Sequence, residues 1–102
     1  MADPLRNALA ALAHPIRREI LRRLSERPTL HWSFLVEGFD CSRQAVAKHL
    51  RVLEAAQLIT SQPEPEWHVF ELRPEGFKLI DAWLAPFRLQ FISTFKEIDE
   101  DI

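Results

Sequence analysis

Polar and basic side chains recur at helical spacing within residues 43–56, and their chemistry suits contacts with nucleic acid. Gln44, Lys48 and Arg51 are separated by four and three residues, so they share one face of a helix. Glutamine can hydrogen-bond to adenine edges, and lysine or arginine can reach guanine edges or phosphates. The opposite, apolar face consists of Val46, Leu50 and Leu53. The pattern predicts a helix that lies in the major groove of double-stranded DNA; an amphipathic helix with a merely solvated face is the alternative.

The start of this helix adds further candidate contacts. Ala47 is small enough to let the backbone approach a base, and Arg43 could reach a phosphate. Ser42 is a favourable N-cap, and the N–H groups of the first turn could hold a phosphate oxygen. The predicted DNA-binding residues are Ser42, Arg43, Gln44, Ala47, Lys48 and Arg51.

Charge is distributed unevenly in a chain whose formal net charge is only -2. Residues 17–51 hold eight basic and four acidic side chains, and residues 61–102 hold four basic and nine acidic ones. A basic stretch inside an acidic chain is typical of a nucleic-acid surface that occupies one part of a domain. A solvated, arginine-rich helix is equally consistent with this charge distribution.

Hydrophobic periodicity and the prolines indicate the elements that position this helix. We expect helices at 4–13, from 15 to near 27, at 29–37, at 43–56 and at 76–101, and strands at 58–61 and 67–72. Gly38 suits the end of the third helix, where a left-handed residue is favoured. The order is mainly α with a small β-hairpin, which is the plan of a winged helix-turn-helix. We expect residues 1–102 to form a single DNA-binding domain.

The terminal helix carries more apolar surface than one small domain can cover. At 1.5 Å per residue it would span about 39 Å, whereas the radius of gyration of a 100-residue domain is about 13 Å. We therefore expect a homodimer formed by the helices at 4–13 and 76–101; a helix folded back on its own core is the alternative. Pro86 should kink or interrupt the helix. The predicted dimer interface is Leu5, Leu9, Leu84, Phe87, Phe91 and Phe95.

Three segments, residues 11–21, 42–54 and 79–88, resemble the signature segments of ArsR-type regulators. The third segment is similar to the C-terminal helix of a branch that lacks the metal-sensing ligands. The resemblance covers nearly the whole chain. It implies a homodimeric repressor that places the helix at 43–56 in the major groove of an inverted-repeat operator.

The chain departs from that family pattern at three places. Ala47 stands where the family often has serine, so one polar contact is missing. Gln57 stands where glycine usually follows the helix, and a left-handed glutamine would cost on the order of 1 kcal/mol, which leaves a different helix end open. Glu64 and Glu66 make the wing acidic, where family wings are basic. We expect this wing to contribute little to DNA affinity, so replacing both glutamates with alanine should leave or improve binding.

No metal site or cofactor is predicted, and the sequence identifies no effector. Cys41 is the only cysteine, and no histidine follows His68, whereas soft metals need several ligands at short spacing. His14 is expected to start a helix, and His49 to be structural. A half-buried turn residue is the favoured role of Cys41; a redox switch beside the DNA face is the alternative.

Other classes of function are less consistent with the sequence. There is no glycine-rich phosphate loop and no visible nucleophile–base pair, so we do not expect an enzyme. The absence of a long apolar run or a signal segment predicts a cytoplasmic protein without membrane contact. A winged helix that serves protein–protein assembly without DNA binding remains the second hypothesis, and activation remains open beside repression.

Overall fold

The computed structural model describes residues 3–62 and 68–94. Five helices and three strands follow one another along this part of the chain. Their order is α1 (Pro4–Ala11), α2 (Pro15–Glu26), β1 (Leu30–His31), α3 (Trp32–Leu35), α4 (Arg43–Ala55), β2 (Ile59–Ser61), β3 (Val69–Leu72) and α5 (Pro74–Gln90). The fold is mainly α with a small antiparallel sheet, as predicted. None of the helices in the described ranges combines the length and apolarity that crossing a bilayer requires.

The first two helices begin at side chains that accept backbone hydrogen bonds. Asp3 Oδ1 accepts from the N–H of Arg6 at 3.0 Å, and His14 Nδ1 accepts from the N–H of Ile16 at 3.1 Å. A proline follows each cap at the first helical position, where its missing N–H had no partner to lose. The expected role of His14 as a helix-start residue is therefore confirmed.

The sheet has three strands in the order β1-β3-β2, both pairs antiparallel. Leu30 lies opposite Phe70, and Ile59 lies opposite Leu72. The predicted hairpin is thus extended by a third strand, β1, at residues for which a helix was predicted. The expected helix at 29–37 is replaced by β1 and the four-residue α3, because pairing with β3 satisfies the backbone of this segment.

The core lies where α2, α3, α4 and the sheet meet. Phe70 of the central strand is fully buried, and apolar residues from each surrounding element pack against it. The largest fully buried side chains are Phe70, Ile20, Leu35, Leu50, Leu53, Leu58, Ile59 and Val46. The inner face of the fourth helix is thus buried as its spacing predicted.

The last helix differs from the expectation at both ends. α5 begins at Pro74, two residues before the predicted start, and it continues through Pro86 to Gln90 instead of being interrupted there. A proline inside a helix removes one backbone hydrogen bond, and the remaining bonds of this 17-residue helix maintain it. The predicted continuation over 95–101 lies outside the described residues.

Candidate nucleic-acid interface

A tight turn joins α3 to α4 and sets the angle between them. Gly38 has φ +83°, a left-handed conformation that side chains with a Cβ rarely adopt, and open space surrounds the position. The backbone conformation, not crowding, therefore explains this glycine. Ser42 Oγ then accepts from the N–H of Ala45 at 3.1 Å and caps α4. Leu35 and Leu50, one from each helix, are fully buried.

The outer face of α4 is turned to solvent. Gln44, Lys48 and Arg51 are exposed, and Ala47 beside them is half-buried. Arg43 is exposed on the first turn. The hydroxyl of Ser42 is engaged as the cap acceptor, yet its O–H can still donate. The six side chains predicted to touch DNA thus lie at the N-terminal end and along one side of a single, capped helix.

A shallow cleft of about 370 Å³ separates α4 from the sheet. Trp32 and Ala47 supply its apolar part, and Arg43, Gln44 and His68 supply its polar part. The guanidinium carbon of Arg43 lies 5.6 Å from the centre of the Trp32 ring. Trp32 also donates its backbone N–H to the carbonyl of His68 at 2.6 Å, which ties the start of α3 to the residue before β3.

Trp32 and His68 were not predicted as site residues. Trp32 fell inside an expected helix, and His68 inside a strand that was expected to form a hairpin with residues 58–61. The two approach each other only because β1 pairs with β3, with His31 opposite Val69. That pairing joins segments almost forty residues apart in the chain. The sequence signal that could have indicated strand β1 was the apolar Leu30 beside residues that are compatible with a strand.

The arginines of α2 bind the protein's own groups. Arg17 and Arg18 donate to the carbonyls of Ala11 and Leu12 at 2.7 Å each, which holds the end of α1. Arg23 donates to carbonyls of residues 34, 35 and 37 and lies 4.5 Å from the ring centre of Phe39. These arginines therefore fix α1, α3 and the turn that precedes α4.

Arg22 belongs to the same set because it pairs with two carboxylates on its own helix. Its guanidinium hydrogen-bonds to Glu19 at 2.8 Å and to Glu26. The hydrogen bond from Arg22 lowers the pKa of Glu19 to about 2. The alternative expected a solvated, arginine-rich helix, whereas the arginines of α2 bind groups of the protein itself. The cations on the candidate interface are therefore those of α4.

Two histidines and an arginine meet where α4 packs against the start of α2. The rings of His14 and His49 lie 4.2 Å apart between centres, and Arg17 Nη1 lies 3.2 Å from His49 Nδ1. A guanidinium can only donate, so His49 Nδ1 is the acceptor. Burial, followed by the charges of His14, Arg17 and Lys48, lowers the pKa of His49. His49 therefore has the structural role that was expected of it.

The structure gives no support to the favoured role of Cys41. This residue is exposed in the turn before Ser42, not half-buried as expected. In the segment that precedes α4, Phe39 is partly covered, whereas Asp40 and Cys41 are exposed. Within residues 3–62 and 68–94, no three His, Cys, Asp or Glu side chains are grouped so that they could hold a metal ion.

A broad apolar surface runs along α5. Phe87 and Phe91 are 47% and 50% exposed, and Leu9 and Leu84 are also exposed. Leu5 is half-buried, and Phe95 lies outside the described residues. Trp83 continues this surface, its ring centre 5.0 Å from that of Phe87. Trp83 was missed in the prediction, although its separation of four residues from Phe87 places both on one helical face.

Comparisons with known proteins find helix-turn-helix transcriptional regulators. A family model described as a helix-turn-helix domain matches residues 12–62. The chain is 32% identical over 91 residues to the HTH-type transcriptional regulator Rv2034 of Mycobacterium tuberculosis, covering 89% of this chain and 84% of that one. It is 41% identical over 81 residues to the uncharacterized HTH-type transcriptional regulator YuzN of Bacillus subtilis, covering 72% and 88%.

A solved structure extends this similarity to nearly the whole fold. The ArsR family transcriptional regulator RHA00566 superimposes with a TM-score of 0.77 at 30% identity, covering 91% of this chain and 98% of that one. The matched range of the family model contains α2, the turn and α4, so the similarity includes the helix pair that presents the candidate interface.

Proposed function

Since this chain belongs to the ArsR family of helix-turn-helix transcriptional regulators, we propose that it is a cytoplasmic, homodimeric repressor of an inverted-repeat operator. In this proposal α4 enters the major groove, and the outer-face residues contact bases and phosphates. Repression follows because a protein seated in the groove excludes other proteins from the same DNA.

The exposed outer face of α4 is the observation that carries this proposal. Gln44, Lys48 and Arg51 can donate to base edges or phosphates. The helix that bears them is capped at Ser42 and fixed by its buried inner face. Because α4 is already folded, binding does not have to order its backbone, which favours a recognition role.

The proposed dimer rests on the apolar surface of α5 and α1. Exposed aromatic side chains such as Phe87 and Phe91 are costly in water, and a second copy of the same helices is the simplest cover. A two-fold symmetric dimer presents two copies of α4, which fits an operator with two inverted half-sites. We place Leu5, Leu9, Leu84, Phe87, Phe91 and Phe95 in this interface.

DNA binding itself is the first test. We would select duplexes from a randomised pool with the wild-type protein and compare them with the segment upstream of its own gene and with an unrelated duplex. Gln44→Ala should relax the preference at one base position by about tenfold, because it removes a base contact. Lys48→Ala should weaken binding to all sequences and reduce the salt slope by about one.

Two outcomes would count against the proposal. Equal, weak binding of a folded wild-type dimer to every duplex would favour the assembly module over the regulator. If Gln44→Ala kept the wild-type preference and Lys48→Ala kept the wild-type affinity and salt slope, the protein would still bind DNA, but not through α4. Repression would be checked separately by transcription from a template in which the selected sequence overlaps the promoter.

A further inference from the structure

We propose that Arg17 sets the orientation of the recognition helix α4 relative to the dimer helix α1, and thereby the separation of the two half-sites that one dimer binds. In this proposal Arg17 contacts no DNA and acts as a positioning residue. The inference rests on the proposed function, since it requires a dimer that places one α4 in each half-site. It adds to that function the residue on which half-site separation depends.

The guanidinium of Arg17 reaches two helices at once. Arg17 lies in the first turn of α2, and its side chain is partly buried. Its Nε donates to the carbonyl of Ala11 at 2.7 Å, and its Nη2 donates to that of Ala10 at 3.3 Å. Its Nη1 donates to Nδ1 of His49 on α4 at 3.2 Å. One planar group with donors in fixed directions therefore joins the end of the dimer helix to the recognition helix.

The end of α1 is a favourable place for this cation. Carbonyls in the last turn of a helix lack N–H partners within it, and they carry the negative end of the helix dipole. The carbonyl of Ala11, the last residue of α1, accepts the shorter of the two bonds from Arg17. On the other side, His49 holds the same guanidinium from α4. The two helices thus share one donor group.

Apolar packing leaves a gap between α1 and α4. A cavity of about 400 Å³ lies between these helices, and Arg17 forms part of its lining. Most of the other lining residues are alanines, whose short side chains do not fill the space; they are Ala10, Ala11, Ala55 and Ala56. Because unfilled space lacks dispersion contacts, a change of angle here costs little packing energy. The directional hydrogen bonds of Arg17 therefore hold the angle.

In a dimer this angle becomes a distance along DNA. The two-fold axis of the proposed dimer passes through the interface made by α1 and α5, so each α4 lies to one side of that axis. Symmetry rotates the two copies of α4 in opposite senses, and a small change of angle therefore changes their separation twice over. Recognition helices bind half-sites about one turn of DNA apart, or a multiple of it. An orientation that is held tightly thus selects one separation.

Duplexes that carry two copies of the selected half-site at graded separations provide the test. The wild type should bind one separation most tightly. Arg17→Met keeps an unbranched side chain but removes the donors. It should reduce about tenfold, the size of a charged hydrogen bond, the preference for the best separation over one shifted by about a fifth of a turn. Its affinity for a single half-site should remain that of the wild type, because the outer face of α4 is unchanged.

Arg18→Met is the matched control. Arg18 donates to the carbonyl of Leu12 at 2.7 Å, at the same end of α1, and within the described part of the chain it has no hydrogen bond to α4. This variant should keep the wild-type dependence on separation. Circular dichroism checks that each variant is folded. If Arg17→Met does not fold, Arg17→Lys takes its place, since one ammonium nitrogen keeps the charge but cannot reproduce the fork.

Variants of His49 test the link from the side of α4. His49→Leu removes the acceptor and should weaken the dependence on separation in the same way. His49→Asn should restore it, because its amide oxygen is as many bonds from Cβ as Nδ1 is. The double variant of Arg17→Met and His49→Leu should lose no more of the dependence than Arg17→Met alone, since both changes break one contact.

The outcomes separate this inference from the proposed function. If the wild type prefers one separation and folded Arg17→Met keeps that preference, the positioning role is refuted and the proposed function stands. An equal loss of preference in Arg18→Met would also refute it, since any contact at the end of α1 would then suffice. If the folded wild type selects no duplex, or binds paired half-sites no more tightly than one, the proposed function fails and the inference with it.

Discussion

At the scale of single residues, His49 links the recognition helix to the remainder of the protein. Its Nδ1 accepts from Arg17, and the same guanidinium donates to the carbonyl of Ala11 at the end of α1. One arginine therefore joins α1, α2 and α4. Protonation of His49 at Nδ1 would convert an acceptor into a donor that faces a guanidinium, and it would add a third positive charge beside Arg17 and Lys48.

This cluster predicts a specific dependence of stability on pH. Burial and the neighbouring charges lower the pKa of His49 in the folded chain, so the unfolded chain binds the proton more readily. The stabilisation is thus complete above the unfolded histidine pKa of about 6.5 and is lost as the pH falls below it. Urea unfolding from about pH 8 to about pH 5 should show a larger loss for the wild type than for His49→Gln.

Gln90→Ala is the control for this measurement, since it replaces an exposed side chain of α5 that carries no titratable group. Its loss of stability with falling pH should match that of the wild type. An identical pH dependence in His49→Gln and the wild type would mean that His49 is not the group that titrates.

The residue scale also shows where sequence patterns are insufficient. The spacing of Gln44, Lys48 and Arg51 was enough to place them on the outer face, because a helical face depends only on local periodicity. The partners of Arg18 and Arg23 could not be predicted in this way. Arg23 binds carbonyls more than ten residues away, and charge alone does not distinguish such an arginine from one that faces a ligand.

At the scale of elements, the C-terminal end of α4 combines a strained residue with close packing. Gln57 follows the last turn of α4 and has φ +62°. Its N–H donates to the carbonyl of Glu54, and the N–H of Leu58 donates to the carbonyl of Leu53. These two bonds define a Schellman end, in which glycine is the usual left-handed residue. The helix therefore ends as the family pattern implies, and the glutamine bears the conformational cost.

Replacing Gln57 with glycine should stabilise the protein. Relief of the left-handed strain is worth about 1 kcal/mol, and the added freedom of glycine in the unfolded chain removes part of it. We expect a net gain of about 0.5 kcal/mol in the free energy of unfolding, measured by urea titration. Gln62→Gly is the matched control, because Gln62 is not among the positive-φ residues of the described chain, so glycine there should be destabilising.

The same helix end explains the glycine at the start of α5. A Cβ built on Gly76 would lie 2.7 Å from the carbonyl oxygen of Ala56 and 2.9 Å from that of Gln57. The N–H of Gly76 donates to Gln57 at 2.8 Å. The C-terminal end of α4 and the first turn of α5 therefore meet backbone to backbone at this point. Hydrophobic periodicity alone does not predict that Gly76 and Gln57 lie at such a contact.

Elements whose signals are local were predicted well, and those that depend on a distant partner were not. The caps of α2 and α4 follow from His14-Pro15 and Ser42, which act within three residues. Strand β1 is two residues long and exists through its pairing with β3. Leu30, Phe34 and Leu35 are spaced as on a helix, so the local pattern favoured the wrong element.

At the scale of the whole molecule, the apolar face of α5 determines how two copies of α4 would be arranged. Trp83 and Phe87 contact each other and are 49% and 47% exposed. A helix that only completed its own core would bury such side chains, because aromatic rings contribute most when they are removed from water. The surface is therefore better explained by a second copy than by the fold of one chain.

An aspartate within this surface should dissociate the dimer. Phe87→Asp places a charge where we propose that two aromatic faces meet, and it should weaken association about 30-fold or more in sedimentation equilibrium. Phe34→Asp is the matched control: Phe34 is 61% exposed but belongs to α3. That variant should retain the association of the wild type, and a Phe87→Asp protein that sediments as the wild type does would refute the interface.

The same variant tests whether the dimer is needed for recognition. A monomer can occupy one half-site, so Phe87→Asp should keep the base preferences conferred by Gln44 within a half-site. It should lose the dependence on half-site separation, which a two-fold dimer sets at about one turn of DNA or a multiple of it. Affinity for the full operator should then fall to that for a single half-site. Retained dependence on the separation would mean that another surface joins the two copies.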